Sequence, residues 1–420
     1  MKRAQGLLIT AVAAPLAVLA AACGQQSPAD FQKGLQEKLI TAKHGSVIEL
    51  PAGKFHFDRT LSLTADGVTI RGKGMHKTIL SFAGQKEGAS GMLVKANDFV
   101  IEDVAIEDTA GDGLTVQGGT NITIRRVRVE WTRGPNENNG PYAIYPAECK
   151  NVLVEDSIAK GAVDAGIYIG QSDNVILRRN RAEYNVDGIE IENAEHVDAY
   201  ENVATHNTGG ISIFNLPDLP KQGGKFVRVF ANQVVDNNNP NFAPKSMGPI
   251  YYLPTGNGIL VMSIGNVEIF QNTIKDNHTA NVTIMHYNTV LEYPIKDKRF
   301  NPYTELIHIH DNVIAGGGAS PDVRIDSIKK LAAAAGSKLA DVLYDGQIDP
   351  KTKAEKIGPN EAQICLANNG DATFLNLDLP NQLRHITRDV KTYHCWLPPV
   401  DAVYLPQLTG GAPTPKAGDD

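Results

Sequence analysis

A chain of 420 residues with 40 basic and 47 acidic side chains carries a net charge of −7, which leaves no basic field for nucleic acid or for an anionic membrane surface. Hydrophobic residues make up 42% and aromatic ones only 6%, against 39 glycines. Many tight corners and thin aliphatic layers suit this composition better than one thick core.

Met1, Lys2 and Arg3 are followed by an apolar run from Leu7 to Ala22, then by Cys23, the order of an export signal. The run is short and Ala-rich for a membrane span, which needs about 20 predominantly apolar residues. Ala20-Ala21-Ala22 fits a general signal peptidase, whereas Leu19 to Cys23 resembles a lipoprotein lipobox with Ala20 where Leu is commoner. The second reading makes residues 1–22 a signal peptide and Cys23 the lipidated residue. Gly24 after Cys23 resembles outer-membrane sorting. The expectation is an exported outer-membrane lipoprotein or periplasmic protein of a Gram-negative cell, touching the membrane only through its lipid.

After a linker, Phe31, Leu35, Leu39 and Ile40 form an apolar stripe at helical spacing. This predicts a helix, completing a 23–44 segment, that covers the open edge of the first strands after it. From residue 45 to 326 one register then recurs. Segments starting at Asp98, Asn121, Asn151, Asn174, His196, Phe226, Asn266 and Leu306 share a pattern of alternating apolar residues, with starts 23, 30, 23, 22, 30, 40 and 40 residues apart. A third short strand of the form Gly-Ile-x-Ile appears as Gly166 to Ile169, Gly188 to Ile191 and Gly210 to Ile213. About 22 residues divided among three strands and three corners make one turn of a right-handed parallel β-helix, with turns about 4.8 Å apart. The expected architecture is all-β: three sheets, about ten coils, an N-terminal capping helix and a small mixed C-terminal extension. The longer intervals are the same coil with inserted loops.

Asn recurs six residues after the register start at Asn180, Asn202, Asn232, Asn272 and Asn312, and eleven after it at Asn185, Asn207, Asn237 and Asn277. Asn tolerates the left-handed backbone of a sharp corner, and its amide can pair with copies above and below. Regularity fades after Ile325. Ser327 to Leu343 reads as an Ala-rich helix within a 327–405 extension, closed by a Cys365–Cys395 disulfide, and 406–420 reads as a loose tail. Cys149 is expected to be a buried structural thiol.

These features together resemble the parallel β-helix repeat proteins, over about residues 45–325, and within them a group of bacterial lipoprotein-like members. Wider relatives include pectate lyases, mannuronan C5-epimerases and copper-maturation proteins of the nitrous-oxide reductase system. The resemblance implies the fold and leaves the activity open. Tyr142 to Glu148 stands where alginate epimerases carry Tyr-Gly-Phe-Asp-Pro-His-Glu, with Tyr145 in place of the acid and Ala147 in place of the His. Epimerisation by that arrangement is not expected.

Outward third-strand positions give a stripe of Thr115, Tyr145, Tyr168, Glu190, Ser212, Leu260 and Thr283, flanked by Glu192, Asp112, Asp164 and Asp187. Rings for pyranose faces and carboxylates for hydroxyls make Tyr145, Tyr168, Glu192, Asp187 and Asp112 candidate ligand-binding residues for a polysaccharide. Glu190 and Asp164 would be the catalytic pair if the protein is a glycoside hydrolase, at about 5 to 9.5 Å separation. Lyase chemistry would need a cation, and Arg178 and Arg179 start on another sheet. His308, His310 and Glu268 form a two-His, one-carboxylate set, so a metal ion, calcium or a transition metal, is the cofactor class suggested. Four loops, Arg133 to Pro141, Pro217 to Gly224, Asn238 to Thr255 and Asn288 to Thr304, are expected to wall one side, with Tyr251, Tyr252, Tyr287 and Tyr293 enriching them. The leading reading is a cell-envelope protein that binds and processes polysaccharide. The alternative is a non-enzymatic scaffold for another exported protein or a metal-maturation accessory.

Overall fold

The computed structural model describes residues 28–291, 294–351 and 360–408. The export signal, Cys23, Tyr293 and the tail from 409 lie outside these residues. Among them, no helix is long and apolar enough to cross a membrane.

The chain winds as a right-handed parallel β-helix. Every strand pairs in parallel with its equivalent one coil away, as in the run Val152, Val175, Val197, Val227, Val267, Ile307. Three columns of strands result. Two are joined into one 19-stranded sheet, because Val100–Glu107 and Thr120–Glu130 run unbroken through the corner between them. The third column is a separate sheet of 11 strands, from Arg59–Leu63 to Phe374–Asn376. Inward side chains such as Ile167, Ile189, Ile211, Ile259 and Val282 stack in files with no exposure, each contributing up to about 2 to 3 kcal/mol by leaving water.

The helix Pro28–Thr41 covers the first coil. Leu35 and Leu39 are buried, and Phe31 stacks on Phe55 with ring centroids 4.0 Å apart. Ile40 does not join that stripe: it is 71% exposed, being one residue, or about 100°, round the helix from Leu39.

Both asparagine columns form. Asn180 Nδ2 donates to Asn202 Oδ1 at 3.0 Å, and the pattern continues through Asn232, Asn272 and Asn312 to Asn369. The second runs Asn185, Asn207, Asn237, Asn277. The same amides donate to backbone carbonyls, Asn180 to Val154 and Asn202 to Leu177. The left-handed residues are not these asparagines but those just before them: Arg179, Glu201, Ala231, Gln271 and Asp311 have φ between 53° and 55°. The corner is therefore shared, with one residue turning the backbone outward and the next satisfying the bend from inside.

Winding does not stop at 326. Val342–Tyr344, Ile364–Ala367 and Phe374–Asn376 each add a strand to the stack. The helix before them is only Asp326–Ala334, because Gly336 and Ser337 take positive φ and turn the chain back to the sheet. Cys365 and Cys395 are disulfide-bonded, and Cys149 is free and buried, its thiol pushed up to about 12 by burial.

From Cys395 the chain returns across the outer face of the larger sheet as a strap. Val400 N donates to Glu268 Oε2 at 3.1 Å and Val403 N to Asp198 Oδ2 at 3.2 Å. Val403 and Leu405 pack on Leu153 and Ile176.

Candidate functional site

Loop placement singles out one face. The insertions between Glu130 and Ile144, Val235 and Asn257, and Ala315 and Val342 all precede a strand of the 11-stranded sheet, whereas those between Phe214 and Lys225 and between Met285 and Glu305 follow one. They flank that sheet along both edges, not one side only, and its outer face becomes the floor of a walled cleft.

Along this floor the register places Thr115, Tyr145, Tyr168, Glu190, Ser212, Leu260, Thr283 and Leu343 in one column. The column is not the open stripe expected: Tyr168 is 4% and Glu190 5% exposed, because the loops fold onto it. Tyr142, from the first insertion, stacks on Tyr145 at 4.6 Å and lies tilted against Tyr168 at 4.9 Å, and Tyr145 stacks on Tyr168 at 4.7 Å. Leu253, from another, lies over Gly209 beside Asp187, where a Cβ on Gly209 would come within 2.8 Å of it.

The carboxyl groups are enclosed with them. Tyr142 donates to Asp164 Oδ2 at 2.9 Å and Thr115 to Asp112 Oδ2 at 3.3 Å, while Ser212 donates to Asp187. Asp164 and Glu190 hydrogen-bond to one another, and Tyr168 to Glu192. Burial, with no cation among these partners, pushes the acids upward: Glu192 to about 7 and Asp164, Asp187 and Glu190 in the same direction, with added repulsion from Asp112 on Asp164, from Asp164 on Asp187 and Glu192, and from Asp164, Asp187 and Glu192 on Glu190. Asp164 and Glu190 are thus coupled through the hydrogen bond between their carboxyl groups. Two buried oxygens, Asp112 Oδ1 and Asp187 Oδ1, have no hydrogen-bond partner.

Beyond Ser212 the same face opens into a cavity of about 960 Å³, walled by Lys245, Tyr251, Tyr252, Asn257, Thr283 and Arg324 among others. That volume is within the range of small-molecule sites. Tyr142, Lys245 and Asn257 were not signalled as site residues, since Tyr142 and Lys245 lie in insertions outside the repeat register. Tyr251 and Tyr252 were visible as a loop enrichment.

Arg178 and Arg179 are on the other sheet, held by Glu155 and Asp156, and reach no cleft carboxylate. Glu268, His308 and His310 come together on that sheet too, with ligand atoms within 4.8 Å of one another. His310 Nε2 is 3.1 Å from Glu268 Oε1, and His310 Nδ1 2.8 Å from Asp311. Burial and neighbouring His310 lower His308 to about 4.

A family model described as right-handed β-helix region matches residues 90–300. No curated protein matches the chain by sequence. Among solved structures, the chain is similar to the A-module of the Azotobacter vinelandii mannuronan C-5 epimerase AlgE4, at 16% identity and a TM-score of 0.52, over 81% of this chain and 90% of that one. It also aligns with the AlgE6 A-module of the same organism, at 15% identity and a TM-score of 0.46, over 82% and 91%. At these identities the likeness is one of fold alone.

Proposed function

Because the chain belongs to the right-handed β-helix family, we propose that the walled cleft on its 11-stranded sheet binds a polysaccharide, and that the protein does so in the cell envelope. The observation that carries this reading is the conjunction, on one face, of the clustered rings of Tyr142, Tyr145 and Tyr168 with the partnerless oxygens of Asp112 and Asp187. Rings pack on sugar faces, and unpaired buried acceptors are costly until a hydroxyl donates to them. The adjoining cavity, with Tyr251 and Tyr252 in its wall, gives a chain of sugar rings room to continue. Processing, if it accompanies binding, draws its proton from the Asp164–Glu190 pair, whose raised affinity for protons suits a general acid. Epimerisation is not part of the proposal, since Tyr145 and Ala147 stand where the acid and His would be. Envelope placement rests on the signal ending at Cys23 and on a disulfide that suits an oxidising compartment.

A glycan array spanning neutral and uronate polymers, followed by calorimetry, tests the cleft. The wild type should bind at least one polymer, and Tyr145→Ala and Tyr252→Ala should each weaken it about tenfold, the loss of roughly 1 to 1.5 kcal/mol of ring contact. No binding by wild type, or binding indifferent to both substitutions, removes the proposal.

A further inference from the structure

The outer face of the larger sheet carries a second constellation. His308 and His310 alternate onto one face of the strand Glu305–His310, and Glu268 pairs with His308 one coil earlier. All three are buried, His308 at 3% exposure. Both ring nitrogens of His308 are without a hydrogen-bond partner, which is costly for a polar group out of water. Nothing in ordinary packing calls for an imidazole there.

The surrounding groups are arranged as supports. The ring of His310 lies parallel to Phe270, 5.3 Å away with 4° between planes, and its Nδ1 meets Asp311 at 2.8 Å, the carboxylate–histidine relation that orients imidazole ligands. Glu268 Oε1 and His310 Nε2 are 3.1 Å apart. Two donors bound to one ion at about 2.1 Å in tetrahedral geometry stand about 3.4 Å apart, so this pair is near the spacing that an ion imposes. Trp396 covers the group, its ring 5.1 Å from His308 and 5.2 Å from His310. The strap bearing it is fastened by Cys395 to Cys365, which pairs with His308 one coil on.

We propose that Glu268, His308 and His310 hold a divalent transition-metal ion, such as zinc, copper or nickel, beneath the strap. Two imidazoles and one carboxylate select this class over calcium, which takes six to eight oxygen donors. The site lies on a different sheet from the polysaccharide cleft and does not depend on it.

The test uses the full-length protein stripped with chelator and titrated with Zn²⁺, Cu²⁺ and, as a control, Ca²⁺. Wild type should take up one equivalent of Zn²⁺ and no Ca²⁺ at this site. Cu²⁺ should quench Trp396, which is separable from buried Trp131, the other tryptophan of the chain. His308→Ala removes no hydrogen bond and should fold; affinity should fall by about 100-fold or more, and quenching should vanish. Glu268→Gln, which keeps the shape, should weaken binding by about 10- to 100-fold and serves if His308→Ala is unstable. His196→Ala, in the partly exposed group with Asp173 and Glu195, should change nothing. Substoichiometric uptake by wild type, wild-type affinity in His308→Ala or Glu268→Gln, or loss in His196→Ala overturns the proposal.

Discussion

Two kinds of buried carboxylate coexist in this molecule, and their neighbours decide their state. Burial opposes ionisation of Glu102, but Arg71, Arg125 and Arg126 surround it and hold its carboxyl below the ordinary value. At Glu192 burial prevails instead, because no cation offsets it; the Tyr168 hydrogen bond is too weak to do so, and Asp164 adds repulsion. A carboxyl that rises from 4.5 to about 7 on folding contributes stability that is complete below about pH 4.5. That contribution is lost as pH climbs through 7, and for Glu192 it is on the order of 3 kcal/mol. Glu192→Gln, neutral at every pH, should flatten the decline in melting temperature between pH 5 and pH 8. Identical pH profiles for the two proteins would refute the assignment. The sequence placed Glu192 on the cleft face by counting from Gly188, since strand alternation fixes that much. It did not reveal how far the face is enclosed, because Tyr142, which bonds Asp164, and Leu253, which lies beside Asp187, sit in loops with no repeating register.

The elements divide in the same way. Strands and corners repeat, so their periodic Asn and Ile positions were legible residue by residue, even though the left-handed turn falls one place earlier than Asn itself. The C-terminal strap has no periodicity: only its cysteine hinted that residues near 395 return to residue 365. Its hold is partly covalent. The bridge closes a loop with a sequence separation of 30, for which chain-entropy reasoning assigns about 3 to 4 kcal/mol. Cys395→Ser should lower the unfolding free energy by about that amount in denaturant titrations and speed proteolysis between Trp396 and Leu405. Unchanged cleavage there would mean that the Val400 and Val403 hydrogen bonds hold the strap unaided.

For the whole molecule, stacking makes far-separated residues neighbours and gives the body two distinct sheets. Insertions gather along the 11-stranded sheet, and the strap lies on the other; the sequence showed that insertions exist, but which corner each occupies follows only from the strands they join. The proposed export and lipid anchoring at Cys23 are tested at this scale. Expressed in a Gram-negative host, the protein should fractionate with membranes and incorporate labelled palmitate. Cys23→Ser should release it into the soluble fraction, and wild type found soluble and unlabelled would rule out the lipid anchor.

The strap also bears on how such a chain is completed. Synthesis runs from the N-terminus, so Val403 emerges 205 residues after Asp198, the partner it finally meets. A chain broken off before that point can wind most of its coils and still leave Leu153 and Ile176 bare, a greasy seam that chaperones and proteases can recognise. The strap thus joins residues far apart in the order of synthesis, and Leu153 and Ile176 are covered only once Val403 and Leu405 are in place.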